Sequence, residues 1–419
     1  MTTPFLAPAE RTWLAEQTER LLAYGHVAAL PEGGFGWLDG AGGVDRSYDR
    51  ELWITCRMTH VYSLGAILGH PGSAALVNHG LAALESLFWD GVNGGWYPQV
   101  DAAGQGYGDK AAYPHSFTIL APASALAAAG RDPEISAARA QALLDQALAV
   151  AEAHFWDEAY GMVREEFDPT WAICHDYRGI NANMHTVEAY LAASDALTDP
   201  AAKQLWLDRA VRIIGNALNR FARGNGWRIP EHYDATWTAH LDYNRDNPTD
   251  KFRPYGATIG HGMEWARLAL HARAALGEAA PAWLLEAAVA LFDRAKTDGW
   301  AVDGAPGFVY TVDWDGTPVV HEREHWVVAE AIGAAYALGL VTGEAVYRDC
   351  FAAWWDFARQ YLIEPDGSWL HELDAQNRPS AIVWEGKPDI YHAIQATLIP
   401  RLPLAPTLTP ALAAGLLDA

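Results

Sequence analysis

Histidine and glutamate side chains stand near the start of several helix-like stretches of the chain. His261 lies three residues before Glu264, Asn181 lies four residues before His185, and His392 begins a last apolar stretch. Residues three or four apart share one face of a helix. The helix dipole keeps a histidine near an N-terminus neutral, and a neighbouring carboxyl group can orient it. The spacing therefore predicts general acid–base chemistry, with Glu264 orienting His261.

Aromatic and charged residues stand at the corresponding places of other stretches: Trp53 and Arg57, Tyr113 and His115, and Trp326 and Glu330. The chain has 19 Trp and 17 Tyr residues, whose rings either pack in a core or offer their faces to a bound sugar. If these stretches lie side by side with their N-termini at one end, their polar groups meet in one pocket.

A repeated turn motif divides the chain into six units. The turns are Gly34-Phe35-Gly36-Trp37, Gly94-Gly95-Trp96-Tyr97, Tyr160-Gly161-Met162-Val163, Gly226-Trp227-Arg228-Ile229, Gly307-Phe308-Val309-Tyr310 and Gly367-Ser368-Trp369-Leu370. Between Trp37, Trp96, Met162, Trp227, Phe308 and Trp369 the steps are 59, 66, 65, 81 and 61 residues. Such regular spacing indicates one supersecondary unit repeated six times.

Each turn lies between two stretches in which apolar residues recur every three or four positions, as in an amphipathic helix. The first stretches are residues 9–24, 74–88, 134–155, 201–221, 281–295 and 344–361, and the second are 50–68, 113–129, 181–197, 260–276, 324–340 and a last one from 391. Since the second stretch of each pair lacks a charged outer face, a closed ring is favoured over an open solenoid.

The sequence thus predicts an all-α (α/α)6 barrel, with inner and outer rings of six helices and short β-hairpins in the loops. We expect one catalytic domain over residues 1–419. Its Pro-containing tail, residues 402–419, is predicted to wrap the surface or to fray.

Composition and charge exclude several classes of function. The 419 residues include 29 Lys+Arg and 52 Asp+Glu, a net charge of −23. Such a surface repels phosphate backbones and anionic membranes, so we expect neither nucleic acid nor a membrane as partner. Three widely spaced cysteines and the absence of a signal-like N-terminus predict a cytoplasmic protein. Without a P-loop or G-x-G-x-x-G motif after a strand, no nucleotide cofactor is expected.

One segment, His321-Glu322-Arg323-Glu324-His325, matches the H-E-x-x-H pattern of zinc proteases. That chemistry requires both histidines on one helix, one turn apart. The preceding residues 311–320 are typical of a hairpin, and the helix is predicted to start near Glu324. We therefore expect no catalytic zinc here; substrate contacts from Glu322 or His325, or solvated polar residues at a helix start, remain the alternatives.

The motifs of the second stretches resemble those of the N-acylglucosamine 2-epimerase superfamily, which includes cellobiose 2-epimerases and aldose–ketose isomerases. The resemblance spans nearly the whole chain and is strongest to the branch that holds mannose and sulfoquinovose isomerases. The motifs that carry it are Trp53-Ile54-Thr55-Cys56-Arg57, Asn181-Ala182-Asn183-Met184-His185, Arg253-Pro254-Tyr255-Gly256, Gly260-His261-Gly262-Met263-Glu264-Trp265 and Lys387-Pro388-Asp389-Ile390-Tyr391-His392.

The resemblance implies an (α/α)6 barrel and proton transfer near C1 and C2 of a sugar without metal or other cofactor. It implies that His392 is the base at C2, that His261 is the ring-opening or second acid–base histidine, and that Glu264 and His185 complete the catalytic set. The implied substrate-binding residues are Arg57, Trp53, Tyr113, Asn181, Met184, Arg253, Trp326 and Glu330. For the second active-site cation, Lys251 and Arg245 remain alternatives to Arg253.

The leading expectation is an isomerase that interconverts D-mannose and D-fructose, or D-lyxose and D-xylulose, through a cis-enediol. A sulfoquinovose isomerase and a sugar 2-epimerase are the nearest alternatives. A glycoside hydrolase is more distant, because hydrolysis needs paired carboxyl groups and would not need converging histidines. A sugar-binding module without catalysis is the last alternative. The sequence does not indicate the oligomeric state.

Overall fold

The computed structural model describes residues 5–418. Six outer helices are α1 Pro8–Gly25, α3 Ser73–Ser86, α5 Ala137–Val150, α7 Pro200–Ile214, α9 Trp283–Gly299 and α11 Ala345–Phe357. Six inner helices are α2 Leu52–Leu68, α4 Ala112–Ala129, α6 Ile180–Ala196, α8 Ile259–Leu276, α10 His325–Thr342 and α12 Tyr391–Leu398. They form the predicted (α/α)6 barrel.

The burial of each helix follows from its sequence. The inner helices are buried on all sides: every residue of α2 from Leu52 to Ala66 is buried. The outer helices bury one face only, as α7 does with Leu207, Ala210 and Ile214. The ring closes where α12 packs against α2 and α10. Apolar residues on all faces thus place a helix in the inner ring.

One helix, α10, is long and apolar enough to cross a membrane by length and composition. It belongs to the inner ring, and 78% of its apolar window is buried inside the barrel. An inner helix of this fold is expected to have that composition.

Three outer helices continue as short π-helices, at Ala151–Phe155, Gly215–Ala222 and Ala358–Leu362, and 3-10 turns occupy His26–Ala28, Gly277–Ala279 and Ile399–Arg401. When the π-helices are counted with the outer helices, each predicted stretch ends within four residues of its observed helix. The largest difference is between residue 295 and Gly299. Five of the repeated turns close a small antiparallel bridge, such as Trp89–Trp96 and Trp300–Phe308. In the fourth turn Trp227 adopts a left-handed φ of 68°.

Short strands connect neighbouring units at the end of the barrel where the inner helices begin. They are β1 Arg50–Glu51, β2 Gln99–Val100, β3 Gly106–Tyr107, β4 Lys110–Ala111, β5 Trp156–Asp157, β6 Met162–Val163, β7 Glu166–Phe167, β8 Arg178–Gly179, β9 His232–Tyr233, β10 Ala257–Thr258, β11 Thr311–Val312, β12 Pro318–Val320, β13 Arg323–Glu324 and β14 Glu372–Leu373. All pairs are antiparallel: β1–β2–β3, β10–β11–β12, β13–β14, β4–β7, β5–β6 and β8–β9.

Most of these pairs join a strand before one inner helix to the loop of the next unit. Arg178 pairs with Tyr233, for example, and Glu324 pairs with Glu372. The prediction of local hairpins thus describes only β2–β3, β5–β6 and β11–β12. The first N–H of α6 also donates to the Glu231 carbonyl, at 3.0 Å. This pairing fixes each loop beside the start of the preceding inner helix.

The C-terminal segment closes the opposite end of the barrel. Its helix α13, Leu408–Ala413, packs against α2 and α4. Leu402, Thr409 and Leu412 are buried, and the Thr409 hydroxyl lies 3.2 Å from the Ser124 hydroxyl. For the described part the expectation of a frayed tail is therefore wrong, because apolar residues anchor the segment over the end of the barrel. The predicted domain and tail also include residues outside 5–418.

Candidate active site

A pocket of about 650 Å³ opens at the end of the barrel where the inner helices begin. Residues from all six inner helices line it: Trp53, Arg57, Tyr113, Asn181, His185, His261, Glu264, His325, Trp326 and His392. Nine of these were predicted as site residues, and His325 was named only as an open substrate contact. The repeat therefore places the polar helix starts around one cavity.

Four of the residues expected at the pocket do not line it. Met184 is fully buried in the core. His115 is also buried, and its Nε2 accepts a hydrogen bond from the Trp96 N–H at 3.1 Å. Arg253 does not reach the pocket wall; it pairs with Glu166 at 3.2 Å and lies over the Tyr177 ring. Glu330 is buried behind His392 rather than in the pocket wall. The assignments of Met184 and Arg253 as substrate-binding residues are therefore not supported, because neither side chain reaches the cavity.

His392 is held by a carboxylate on its neighbouring helix. Its Nδ1 lies 2.9 Å from Glu330 Oε1. Because a carboxylate accepts the Nδ1 proton, Nε2 of the neutral ring is a bare base. Nothing within residues 5–418 hydrogen-bonds that nitrogen. Burial, and then the charge of Arg57, hold the pKa of His392 well below its ordinary value. The ring is thus a neutral base that faces the pocket.

His261 has a similar arrangement with a different partner. Its Nδ1 lies 3.0 Å from Glu231 Oε1, so the sequence-based pairing with Glu264 is wrong. Glu231 reaches this place because the β8–β9 pair fixes its loop against the start of α6. Glu264 lies nearly one helical turn further along α8, towards the barrel axis. The result is a second histidine oriented by a glutamate at the same pocket.

Glu264 faces His185 instead. Its Oε1 lies 3.9 Å from His185 Nδ1, and both of its oxygens are buried without a hydrogen-bond partner in the described chain. Burial, and then the charge of Glu330, raise the pKa of Glu264 well above its ordinary value. Burial also lowers the pKa of His185 to about 4. Burial therefore favours the uncharged form of both side chains.

His185, Glu188 and Glu264 are also the group best spaced to hold a metal ion. One ligand atom from each lies within 4.8 Å of the others. The charge of Arg267 nevertheless acts on both carboxyl groups, and its Nη2 lies 3.7 Å from Glu264 Oε1. A nearby guanidinium repels a cation. We therefore interpret the group as part of the protein's own polar network.

Arg57 is fixed at one side of the pocket. Its Nη1 donates to Asp389 Oδ2 at 3.3 Å, and its guanidinium lies 4.6 Å from the ring centres of Phe117 and Tyr391. A guanidinium held between rings and a carboxylate has a fixed direction for its remaining N–H groups. Arg57 can therefore donate to an oxygen of a bound sugar.

Trp326 lies between the two glutamate-bound histidines. Its ring centre is 5.5 Å from that of His261 and 5.7 Å from that of His392. An aromatic face with a base on either side suits a flat, hydroxylated ligand such as a sugar ring.

The longest step of the repeat supplies part of the pocket wall. The loop of residues 241–256 carries Lys251, Phe252 and Pro254, which all line the pocket. The Phe252 ring lies 5.4 Å from that of Trp384 and 5.5 Å from that of Tyr113. Lys251, named as an alternative to Arg253, is thus the cation of this loop that reaches the pocket.

Several residues in or directly behind the pocket wall were not predicted as site residues. Glu324 and His325 belong to the H-E-x-x-H segment, but β13 precedes the helix and His321 lies outside it, as predicted. His325 stacks on His371 with 3.7 Å between ring centres, and burial lowers its pKa to about 3. Tyr310, His371 and Glu231 come from the loops of neighbouring units. The pairing of the two-residue strands brings them there, and strands this short show no recognisable period in the sequence.

Comparisons with known proteins agree with this architecture. The family model described as N-acylglucosamine 2-epimerase matches residues 33–396. The chain is 47% identical over 408 residues to a D-mannose isomerase of Thermobifida fusca, covering 97% of each chain. It is 45% identical to a D-mannose isomerase of Pseudomonas cannabina pv. alisalensis, covering 97% of this chain and 96% of that protein.

A solved structure described as D-mannose isomerase is similar throughout the barrel. The TM-score is 0.84 at 28% identity, covering 94% of this chain and 98% of that one. Together with the family model, these full-length similarities decide the family. The chain belongs to the N-acylglucosamine 2-epimerase family.

Proposed function

We propose that this protein is an aldose–ketose isomerase that interconverts D-mannose and D-fructose. The observation that carries the proposal is the pair of histidines, His261 and His392, each oriented by a glutamate and both facing one pocket beside Trp326. The full-length similarity to two D-mannose isomerases supports the choice of sugar.

The geometry suggests how the proton moves. His261, oriented by Glu231, opens the sugar ring by transferring a proton between the ring oxygen and the C1 hydroxyl. The neutral Nε2 of His392 then removes the proton from C2 of the open-chain aldose, while O1 gains a proton and a cis-enediol forms. His392 returns its proton to C1 on the same face, and O2 loses its proton to become the ketone. Atoms and charge balance without a redox partner.

The remaining polar groups stabilise charge on the two oxygens. Arg57 lines the pocket with its guanidinium held beside Tyr391, and Glu264, whose neutral form burial favours, lines it beside His185. Donors already fixed before the reaction stabilise a developing oxyanion more effectively than mobile water does. Asn181, in the first turn of α6, completes this side of the pocket.

A neutral monosaccharide fits the pocket better than an anionic sugar. Asp389 compensates the charge of Arg57, and the net charge of −23 opposes anionic ligands. We further propose that the reaction needs no metal or other cofactor, and that the enzyme works in the cytoplasm without nucleic acid or membrane as partner. Activity that EDTA removes and Mg²⁺ or Mn²⁺ restores would contradict the first of these proposals.

Product analysis tests the proposal. Purified protein is incubated separately with D-mannose, D-lyxose, D-glucose and sulfoquinovose, and the products are identified by NMR. We expect fructose from mannose, and slower formation of xylulose from lyxose. Glucose as the sole product from mannose would identify a 2-epimerase. Turnover of sulfoquinovose alone would move the assignment to an anionic sugar and implicate Lys251.

A further inference from the structure

One charged residue beneath the pocket takes no part in the mechanism above. Arg267 lies three residues after Glu264 on α8, nearly one turn deeper in the barrel, and only 3% of its surface is exposed. It also lines a second, small cavity at the opposite end of the barrel. Arg267 therefore lies between the pocket and the sealed end of the barrel.

Arg267 lies beside two carboxyl groups: its Nη2 is 3.7 Å from Glu264 Oε1, and its contact with Glu330 leads directly to the proposed base. Its Nε donates to Glu330 Oε2 at 2.7 Å, while Glu330 Oε1 binds His392 Nδ1 at 2.9 Å. With one donor on each oxygen, the Glu330 carboxylate cannot rotate without losing both bonds. The orientation of the His392 ring is thus linked to the guanidinium through one rigid group.

The fold provides a closed space for this guanidinium. A Cβ atom at Gly333 would lie 3.0 Å from Arg267 Cδ, so the absence of a side chain at that position makes room for the arginine. On the far side, Thr407, Leu408 and Thr409 of the C-terminal segment cover the second cavity. Because a buried guanidinium has no access to bulk water, its hydrogen bonds to carboxylates are retained.

We propose that Arg267 is a positioning residue: by fixing the carboxylate of Glu330, it sets the orientation of His392 towards the substrate. This inference rests on the proposed role of His392 as the base. The pair of His261 and Glu231 has no equivalent arginine within residues 5–418. An arginine therefore fixes the carboxylate partner of His392 only.

The positive charge of Arg267 also favours the neutral form of His392, which the proposed base requires. It opposes protonation of His392, as do Arg57 and His185, whereas Glu188 favours it. The titratable and charged groups around His392, by element, are Tyr391 on α12, His325 and Glu330 on α10, Arg57 on α2, His185 and Glu188 on α6, and His261, Glu264 and Arg267 on α8. Removing the charge of Arg267 should therefore raise the pKa of His392.

The test compares Arg267→Met and Arg267→Lys with a control, Arg209→Met. Arg209 is also buried and pairs with a glutamate, Glu152, but it lies on outer helix α7. Three quantities are measured: kcat and KM for D-mannose, the titration of His392 by NMR of histidine-labelled protein, and the Tm. The spectrum of His392→Asn assigns the His392 signal.

We expect Arg267→Met to lower kcat by about tenfold or more with KM within about threefold, and to move the His392 titration to higher pH. Arg267→Lys should restore the titration midpoint and part of kcat. Arg209→Met should lower Tm without changing kcat or the titration midpoint of His392. The proposal is wrong if Arg267→Met folds and has the kcat and titration of the control, or if lysine does not restore the midpoint.

If Arg267→Met does not fold, Gly333→Ala decides. It keeps the charge but pushes a methyl group against Arg267, so kcat should fall by about threefold, and an unchanged kcat would contradict the proposal. The titration needs no substrate. A wild-type protein that does not convert mannose therefore refutes the proposed function, while the His392 signal still tests Arg267.

Discussion

The two glutamate-bound histidines differ in the elements that hold them. Three inner helices hold the first pair: α12 carries His392, α10 carries Glu330 and α8 carries Arg267. Helix α10 packs against both α12 and α8. His261 comes from α8, but its partner Glu231 lies in a loop fixed only by short strands. Both rings are almost equally buried, with 6% and 7% of their surfaces exposed. The two pairs therefore differ in the elements that hold the glutamate and not in burial, and we expect the helix-borne pair to be the more rigid.

This difference suits two different proton transfers. Removing a proton from carbon requires a base held at a fixed distance, because the C–H group is a weak acid that forms no strong hydrogen bond to guide it. Opening the sugar ring moves protons between oxygens, which hydrogen bonds do guide. The helix-borne pair fits the first task and the loop-borne pair fits the second.

The largest effect is expected from replacing the two histidines. His392→Asn should lower kcat on D-mannose by at least about 10³-fold, because asparagine keeps a similar shape without a base. His261→Asn should lower it by about 10²-fold, since ring opening in water continues slowly. Steady-state kinetics measure both, with substrate affinity by calorimetry as the control for binding. Equal losses would remove the proposed division of roles.

Replacing the glutamates tests the rigidity directly. Glu330→Gln should lower kcat by about 10²-fold, within the range seen when a carboxylate that orients a histidine is lost. Glu231→Gln should lower it by about tenfold, because its loop can adjust. The two variants serve as controls for each other. A larger loss for Glu231→Gln would reverse the comparison.

The helix pattern explains how much of the fold and of the candidate site could be predicted from the sequence. Stretches with apolar residues every three or four positions gave the twelve barrel helices, and the first turns of the inner helices gave most of the pocket wall. Glu231 and His371 were missed because two-residue strands from neighbouring units bring them in, and strands that short have no recognisable period. The bond between Glu330 and Arg267 was missed because it depends on side-chain packing between α8 and α10.

The pH profile distinguishes the base from an ordinary histidine. A base must be neutral, so its activity falls as the pH drops through its pKa. Burial and Arg57 hold the pKa of His392 below the ordinary 6.5. We expect kcat/KM at pH 6.0 to stay within about 1.5-fold of its value at pH 7.5, whereas a histidine of pKa 6.5 would give a fall of about fourfold. An acid limb centred at 6.5 or above would contradict the geometry of the site.

The smallest effect is expected from the loop cation that points away from the pocket. Arg253→Gln should leave kcat/KM within about twofold and cost at most about 1 kcal/mol of stability, because its ion pair with Glu166 is partly exposed. Lys251→Met, two residues earlier and in the pocket wall, should lower kcat/KM by several-fold. If Arg253→Gln has the larger effect, the sequence-based assignment of Arg253 was right and the loop changes its conformation on binding.

Deuterium exchange tests directly whether His392 is the base that removes the proton from C2. Wild-type, His392→Asn and His261→Asn proteins are incubated in D2O with D-mannose, and deuterium at C2 of mannose and C1 of fructose is followed by NMR. We predict that wild-type protein gives fructose with partial deuterium at C1. His261→Asn should retain slow exchange, and His392→Asn should bind mannose with neither exchange nor product. Exchange at C2 by His392→Asn at a rate near that of the wild type would show that His392 is not the base, and His185 would be the next candidate.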